Sequence, residues 1–218
     1  MQQKASAYKN GDQRAAKRPP GRPRSEEARA SILRSTLKLL VKEGFSELTI
    51  EAVAANAGVG KATVYRWWPD KAALIADAFA SSTKRNLHFP DTGSVRKDMS
   101  RQMRQLVKVF QSRRGRIVSA MLGAGQSDNS LIEAFRERFL KPRRQEAYAT
   151  LRRGIQRGQL QENVDMDLLL DSLYGPIYMR FLIRHDSLTP KFVEGICDLA
   201  LGKANGSPKS IRTLDRSS

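Results

Sequence analysis

The chain has 218 residues, 40% of them hydrophobic, and a formal charge of +17. That is enough length and apolar content for one large domain or two small ones, and the charge suggests a polyanionic partner. No apolar run reaches the ~20 residues of a membrane span, and no apolar leader core follows the charged N-terminus. A single cysteine, Cys197, excludes an internal disulfide and reads as a small buried hydrophobe in a reducing cytoplasm.

The excess charge is uneven. Residues 1–24 carry seven basic and one acidic residue, +6, and residues 203–218 carry four and one, +3. Residues 25–88 carry nine and seven, only +2, so net charge alone does not locate a binding site there. The polar, Pro-rich start ("AAKRPPGRPR") predicts a disordered basic tail over 1–24, and the end predicts a second tail over 203–218. Within the first tail, Gly-Arg-Pro is slim and extended. Arg22 and Arg24 can enter an A·T-rich minor groove, or the segment is a solvated linker.

From about Ser25 the pattern is helical. Ser25 suits an N-cap, Glu26 and Glu27 suit the positive end, and Gly44 suits the exit. Ile32, Leu33, Thr36, Leu37, Leu40 and Val41 form its apolar stripe. Thr49 reads as the cap of a short helix, Ile50 to about Ala57. Gly58-Val59-Gly60 leads into a second, about Lys61 to Trp68. Pro69-Asp70 ends that one and caps a third, about Lys71 to Arg85, with Leu74, Ile75, Ala78 and Phe79 inward.

Two short helices joined by a glycine turn suggest a helix-turn-helix. Ala54 is small where the second helix would cross, Gly58 can take the left-handed turn, and Val59 and Val64 fill the gap. A purely structural helical hairpin shares this spacing. On a helical wheel at about 100° per residue, Trp68 falls with Val64 on the core side. Trp67 falls at the edge, placed either for a phosphate or for packing. Ala62 and Arg66 point outward, where Arg66 can read guanine and Ala62 permits close approach. Lys61, Thr63 and Tyr65 flank them, toward phosphates.

Beyond residue 86 the breaks predict helices near 94–112, 115–126, 129–157, 165–185 and 190–202, with Pro142 kinking or dividing the long one. The run "DLLLDSLYGPIYMRFLIR" is apolar on two sides: Leu169, Leu173, Ile177 and Phe181 on one, Leu170, Tyr174, Tyr178 and Leu182 beside it. Such a helix needs two partners, or deep burial in one chain. The basic runs 96–116 and 136–157 read as solvated faces, or as sites for an anionic ligand or nucleic acid. His88 and His185 lack companions, so no metal is expected. "GKAT" fails the Walker pattern, with Ala55 and Ala62 in the wrong places. No nucleophile, base or paired-carboxylate set suggests an enzyme, and no cofactor is expected.

The stretch "LTIEAVAANAGVGKATVYRWWPDKAALIADAF" resembles the DNA-binding region of the TetR family of bacterial transcriptional regulators. The matching positions are Thr49, Ala54, Gly58-Val59, Thr63-Val64-Tyr65, Trp67-Trp68, Lys71 and Leu74. Gly60 stands where the family often has a Ser or Thr cap. The resemblance implies an all-α fold: a three-helix helix-turn-helix DNA-binding domain over 25–85 and a larger helical effector-binding and dimerisation domain over 86–202. It implies a homodimer that represses from a palindromic operator on double-stranded DNA and releases it when a small molecule binds. Thr49 and Lys71, each at a helix start, would help hold phosphates. Candidates for the effector pocket are Leu106, Phe110, Met121, Leu122, Phe135, Phe139, Tyr148, Tyr174 and Tyr178. Candidates for the dimer seam are Leu169, Leu173, Ile177, Phe181, Phe192 and Ile196. A ligand-free architectural DNA-binding protein is the alternative reading.

Overall fold

The computed structural model describes residues 22–204, with side chains from Glu26 to Gly202. The described residues form α1 (Arg22–Glu43), α2 (Ile50–Ala57), α3 (Lys61–Trp67), α4 (Lys71–Thr83), α5 (Val95–Gln111), α6 (Arg113–Ala124), α7 (Asn129–Phe135), a π-helical turn (Arg136–Leu140), α8 (Lys141–Gln156), α9 (Met166–Ile183) and α10 (Pro190–Ala204). No strand occurs among them. The proposed tails, up to residue 21 and after 204, lie outside the described residues, as do the side chains of Arg22 and Arg24.

Helix α1 starts three residues before the expected cap. Pro23 is tolerated in a first turn because its missing N–H would have no helical partner there. Ser25 therefore lies inside the helix, and the extended reading of Gly-Arg-Pro fails from Arg22 onward. Ile32, Leu33, Thr36 and Leu40 are buried as the stripe predicts, joined by Leu39, while Val41 is 39% exposed. Thr36 sits in the core because its hydroxyl donates to the Ile32 carbonyl at 2.8 Å.

Helix α4 is the centre of the molecule. Leu74, Ile75, Ala78 and Phe79 are fully buried, each large side chain contributing ~1.5–3 kcal/mol of transfer free energy. One side packs on α1 and the other on α7 and the π-turn. There the Phe79 ring meets Phe139 edge-on at 4.8 Å, and Phe135 stacks on Phe139 at 5.1 Å. The two units thus share a continuous core through α4.

Pro142 explains the break in the long helical run. It has no N–H for the Arg138 carbonyl, and the turn before it widens. The Lys141 N–H reaches back five residues to the Arg136 carbonyl. The α5–α6 corner depends on Gly115, where a Cβ would stand 1.9 Å from the Phe110 carbonyl oxygen. Pro176 lies within α9, the helix continuing to Ile183.

Across the far side, α10 is tied to α5. Glu194 accepts from Ser100 at 2.6 Å and pairs with Arg104 and, at 3.0 Å, Arg96; Arg96 also pairs with Asp198 at 2.6 Å. Those partners, the Ser100 hydroxyl first and Arg104 next, hold the Glu194 carboxyl down at about 2. Cys197 is buried beside Met103, and burial pushes its thiol up to about 11.

Candidate nucleic-acid interface

The helix-turn-helix is built by local chemistry. Thr49 Oγ1 accepts the Ala52 N–H at 3.1 Å and caps α2. Gly58 stands at φ 70°, ψ 34°, a left-handed conformation that glycine takes without a Cβ penalty. The next residue, Val59, donates its N–H to the Ala54 carbonyl at 3.0 Å, which closes the turn. Asp70 caps α4 by accepting the Ala73 N–H at 2.7 Å.

Helix α3 then has two faces. Val64 and Trp68 are fully buried, Thr63 and Trp67 half-buried, and Lys61, Ala62, Tyr65 and Arg66 exposed. The adjacent indoles diverge as their spacing requires, with centroids 6.3 Å apart and planes tilted by 41°. Trp68 turns inward and donates its N–H to Asp77 at 2.8 Å. Trp67 lies at the rim, under the Arg29 guanidinium at 5.7 Å from its ring.

Among the described residues, Arg66 has no ion-pair partner and the Trp67 N–H meets no acceptor. Lys61 is less free, since its ammonium pairs with Glu51 at 2.6 Å on the exposed surface. That hydrogen bond lowers the Glu51 carboxyl's pKa. Lys71 lies over the Phe45 ring at 4.9 Å and reaches the Ser46 carbonyl at 3.4 Å. Thr49 is exposed at the start of α2. The helix-turn-helix therefore exposes the start of α2, the outward face of α3 and the basic side chains of Lys61 and Arg66.

These features decide the family. Residues 32–78 match the family described as "Bacterial regulatory proteins, tetR family", and residues 89–200 match "Tetracyclin repressor-like, C-terminal domain". The chain belongs to the TetR family. It is 41% identical to the HTH-type transcriptional regulator YdeS of Bacillus subtilis over 81% of this chain and 89% of that one. It is 31% identical to the DNA-binding transcriptional repressor TetR of Mycobacteroides abscessus, over 68% and 78%. The crystal structure of the TetR family transcription regulator SCO0332 superposes with a TM-score of 0.74 at 37% identity, covering 84% of this chain and all of that one. The protein is a TetR-family helix-turn-helix transcriptional regulator, not an enzyme. No described helix is long and apolar enough to cross a membrane. No group of three or more His, Cys, Asp or Glu among the described residues could hold a metal.

The C-terminal part of this TetR-family chain holds a cavity of about 60 Å³ between α5, the π-turn, α8 and α9. Of the pocket candidates, Leu106, Phe139, Tyr174 and Tyr178 line it, with Leu87, Phe89, Gln102, Leu140, Arg143, Arg144, Ala147 and Leu170. The other pocket candidates do not. Phe110 is held between Tyr178 and Phe181, Phe135 backs Phe139, and the Tyr148 hydroxyl donates to Asp167. Met121 and Leu122 lie on α6, outside the wall.

The seam candidates divide between the core and the surface. Leu173, Ile177 and Phe181 are buried by the chain's own helices, with Phe181 stacked on Phe110 at 4.0 Å. Phe192 lies half-buried with Arg180 at 3.5 Å from its ring. Leu169 and Ile196 are nearly buried but reach a surface groove shared with Leu168, Pro176 and Leu199. The outward stripe of α9 is instead Leu168, Ser172, Gly175, Met179 and Ile183, facing solvent beside Leu199 of α10.

Sequence reasoning missed Arg29, Asp77 and Arg138. Asp77 had a visible signal: it is the one charged residue in "AALIADAFA", beside Leu74 and Ala78. Arg138 had none, because its reach to Asp77 depends on the π-turn.

Proposed function

We propose that the chain is a cytoplasmic, dimeric repressor that binds a palindromic operator through α3 and lets go when a small molecule occupies the α5–α8–α9 cavity. The carrying observation is the two-sided α3. Val64 and Trp68 anchor it, while Ala62, Tyr65 and Arg66 stand clear of the protein, Arg66 without an ion-pair partner among the described residues. Arg66 reads a base edge. Thr49, Lys61, Thr63, Tyr65, Trp67 and Lys71 hold the backbone on either side. Lys61 does so by exchanging Glu51 for phosphate. Arg22 and Arg24 add affinity from the basic N-terminal segment.

Repression is supported by the name of the Mycobacteroides abscessus relative. The effector role of the cavity is supported by its position: Phe139 lines it and also touches Phe79 of α4. At about 60 Å³ the cavity is small beside the ~300–1,000 Å³ of drug-sized sites, so a larger effector must open it.

The test compares binding to a palindromic fragment from upstream of the protein's own gene with binding to random DNA at physiological salt. A specific regulator prefers the former by roughly 10³-fold or more. Equal affinity would mean that the chain coats DNA as an architectural protein.

A further inference from the structure

The cavity wall is mostly apolar, with Leu87, Phe89, Leu106, Phe139, Ala147 and Leu170. Its polar groups are not equivalent. The Tyr174 hydroxyl donates to Gln102 Oε1, which commits that oxygen and leaves the Gln102 amide N–H₂ without a protein acceptor among the described residues. Gln102 is only 3% exposed, so this is a donor buried in the wall. The Tyr178 hydroxyl likewise has no hydrogen-bond partner among the described residues. Its ring is fixed against Phe110 at 5.1 Å. Both residues line the cavity, and neither of these two atoms is among the fully enclosed unpaired ones. Burial pushes the pKa of both tyrosines upward, so both hydroxyls remain protonated.

Both guanidiniums of the wall already have a carboxylate partner. Arg143 donates to the Leu87 carbonyl and to Glu146 at 3.1 Å. Arg144 pairs with Asp171 at 2.6 Å and with Asp167, and donates to the Tyr148 hydroxyl at 3.2 Å. Three carboxylates thus face two guanidiniums. An anionic ligand finds no unpaired cation and has to be desolvated without compensation.

From these contacts we infer that the cavity takes a neutral, largely apolar molecule carrying a carbonyl oxygen, which accepts hydrogen bonds from the Gln102 amide and the Tyr178 hydroxyl. A hydrocarbon would fill the space and leave both donors unpaired. A carboxylate would accept from them while burying an uncompensated charge. A ketone, ester or amide does neither. Roughly four to six water-sized volumes at ~10–15 Å³ each fit the present cavity of about 60 Å³, the scale of a single ring. The inference rests on the cavity being the effector site, and the experiment separates the two.

The full-length protein is titrated by calorimetry with three probes of one size: acetophenone, ethylbenzene and benzoate. Acetophenone should bind about tenfold tighter than ethylbenzene, with benzoate weakest. Tyr178→Phe removes one donor and keeps the ring. Gln102→Met combined with Tyr174→Phe removes the other without orphaning a hydroxyl. Each should weaken acetophenone by about threefold to tenfold, the worth of one net hydrogen bond, and leave ethylbenzene unchanged. Equal binding of acetophenone and ethylbenzene, tighter binding of benzoate, or an acetophenone preference intact in both variants overturns the ligand class and leaves the cavity a binding site. No heat and no aromatic resonance shift with any probe up to its solubility overturns the cavity reading, and this inference with it.

Discussion

The Trp68 indole N–H donates to Asp77 Oδ2 at 2.8 Å, across the turn that separates α3 from α4. The same oxygen receives Arg138 from the π-turn at 3.0 Å and stands 3.6 Å from Arg29 of α1. One carboxylate therefore joins the end of α3 to the segment that carries Phe139 into the cavity wall. Removing it leaves a buried indole N–H without an acceptor. Asp77→Ala should cost about 1–3 kcal/mol of stability. Asp77→Asn, which keeps an acceptor, should cost less. Thermal melts check the order, and indole resonances report whether Trp68 alone is disturbed. An Asp77→Ala protein that melts like wild type would show that packing by itself seats Trp68.

Arg66 and Lys61 lie on the same helix but should fail differently. Arg66 has no partner to give up among the described residues, and Lys61 must leave Glu51. Arg66→Ala should cost about 1–3 kcal/mol per half-site and relax preference at one base position. Lys61→Ala should weaken all sequences alike and flatten the slope of log affinity against log salt by about 0.9 for each phosphate it no longer neutralises. Competition binding against a set of single-base operator variants distinguishes them. A uniform loss for Arg66→Ala would reduce it to a phosphate-binding role.

Much of this was legible in the residues, for reasons that also explain the failures. Thr49, Gly58 and Asp70 act through their own backbone neighbours, so spacing alone locates the two short helices. Val64 and Trp68 separate from Ala62 and Arg66 because one helical period suffices. Helix α9 defeats the same reasoning. Its stripes of Leu, Ile and Phe resemble a seam because they are the most apolar, and they belong to the chain's own core. The outward stripe contains Ser172 and Gly175, small residues that read as weakly apolar. Periodicity finds apolar faces but cannot rank them when a helix has three. The Asp77–Arg138 contact joins residues 61 positions apart and leaves no periodic trace.

Glu194 supplies a pH dependence. Its folded carboxyl titrates at about 2 against an ordinary 4.5, because Ser100, Arg104 and Arg96 favour the ionised form. A depressed carboxyl stabilises the fold fully above its unfolded pKa and loses that contribution as pH falls toward the folded value. The docking of α10 on α5 should therefore weaken between about pH 4.5 and about pH 2. Glu194→Gln should lower the melting temperature at neutral pH and give a flatter profile through that window. Hydrogen exchange along α10 would show the same loosening locally. A variant whose acid profile parallels wild type would exclude Glu194 as the titrating group.

The proposed dimer places its seam on the outer faces of α9 and α10. Leu168 is 64% exposed and Leu199 69%, and both border the groove that Leu169 and Ile196 reach. Met179 and Ile183 extend the stripe, and Gly175 and Gly195 lie exposed on the two helices, allowing a second copy's backbone to come close. A recognition helix of 7 residues contacts few base pairs, so pairing two of them about one DNA turn apart, ~34–36 Å, is what gives operator discrimination. Charges on the outer stripe should split the dimer without unfolding the chain. Leu168→Glu with Leu199→Glu alters only exposed positions, whose own effect on the monomer is about 0.5 kcal/mol or less each. Ile177→Asp buries a carboxylate inside one chain and should cost several kcal/mol of its stability. Sedimentation at micromolar concentration should then show wild type as a dimer, the double Glu variant as a folded monomer with operator affinity reduced by orders of magnitude, and Ile177→Asp as poorly folded. A wild-type monomer that binds one half-site at full affinity would remove the dimer, and the palindromic operator with it.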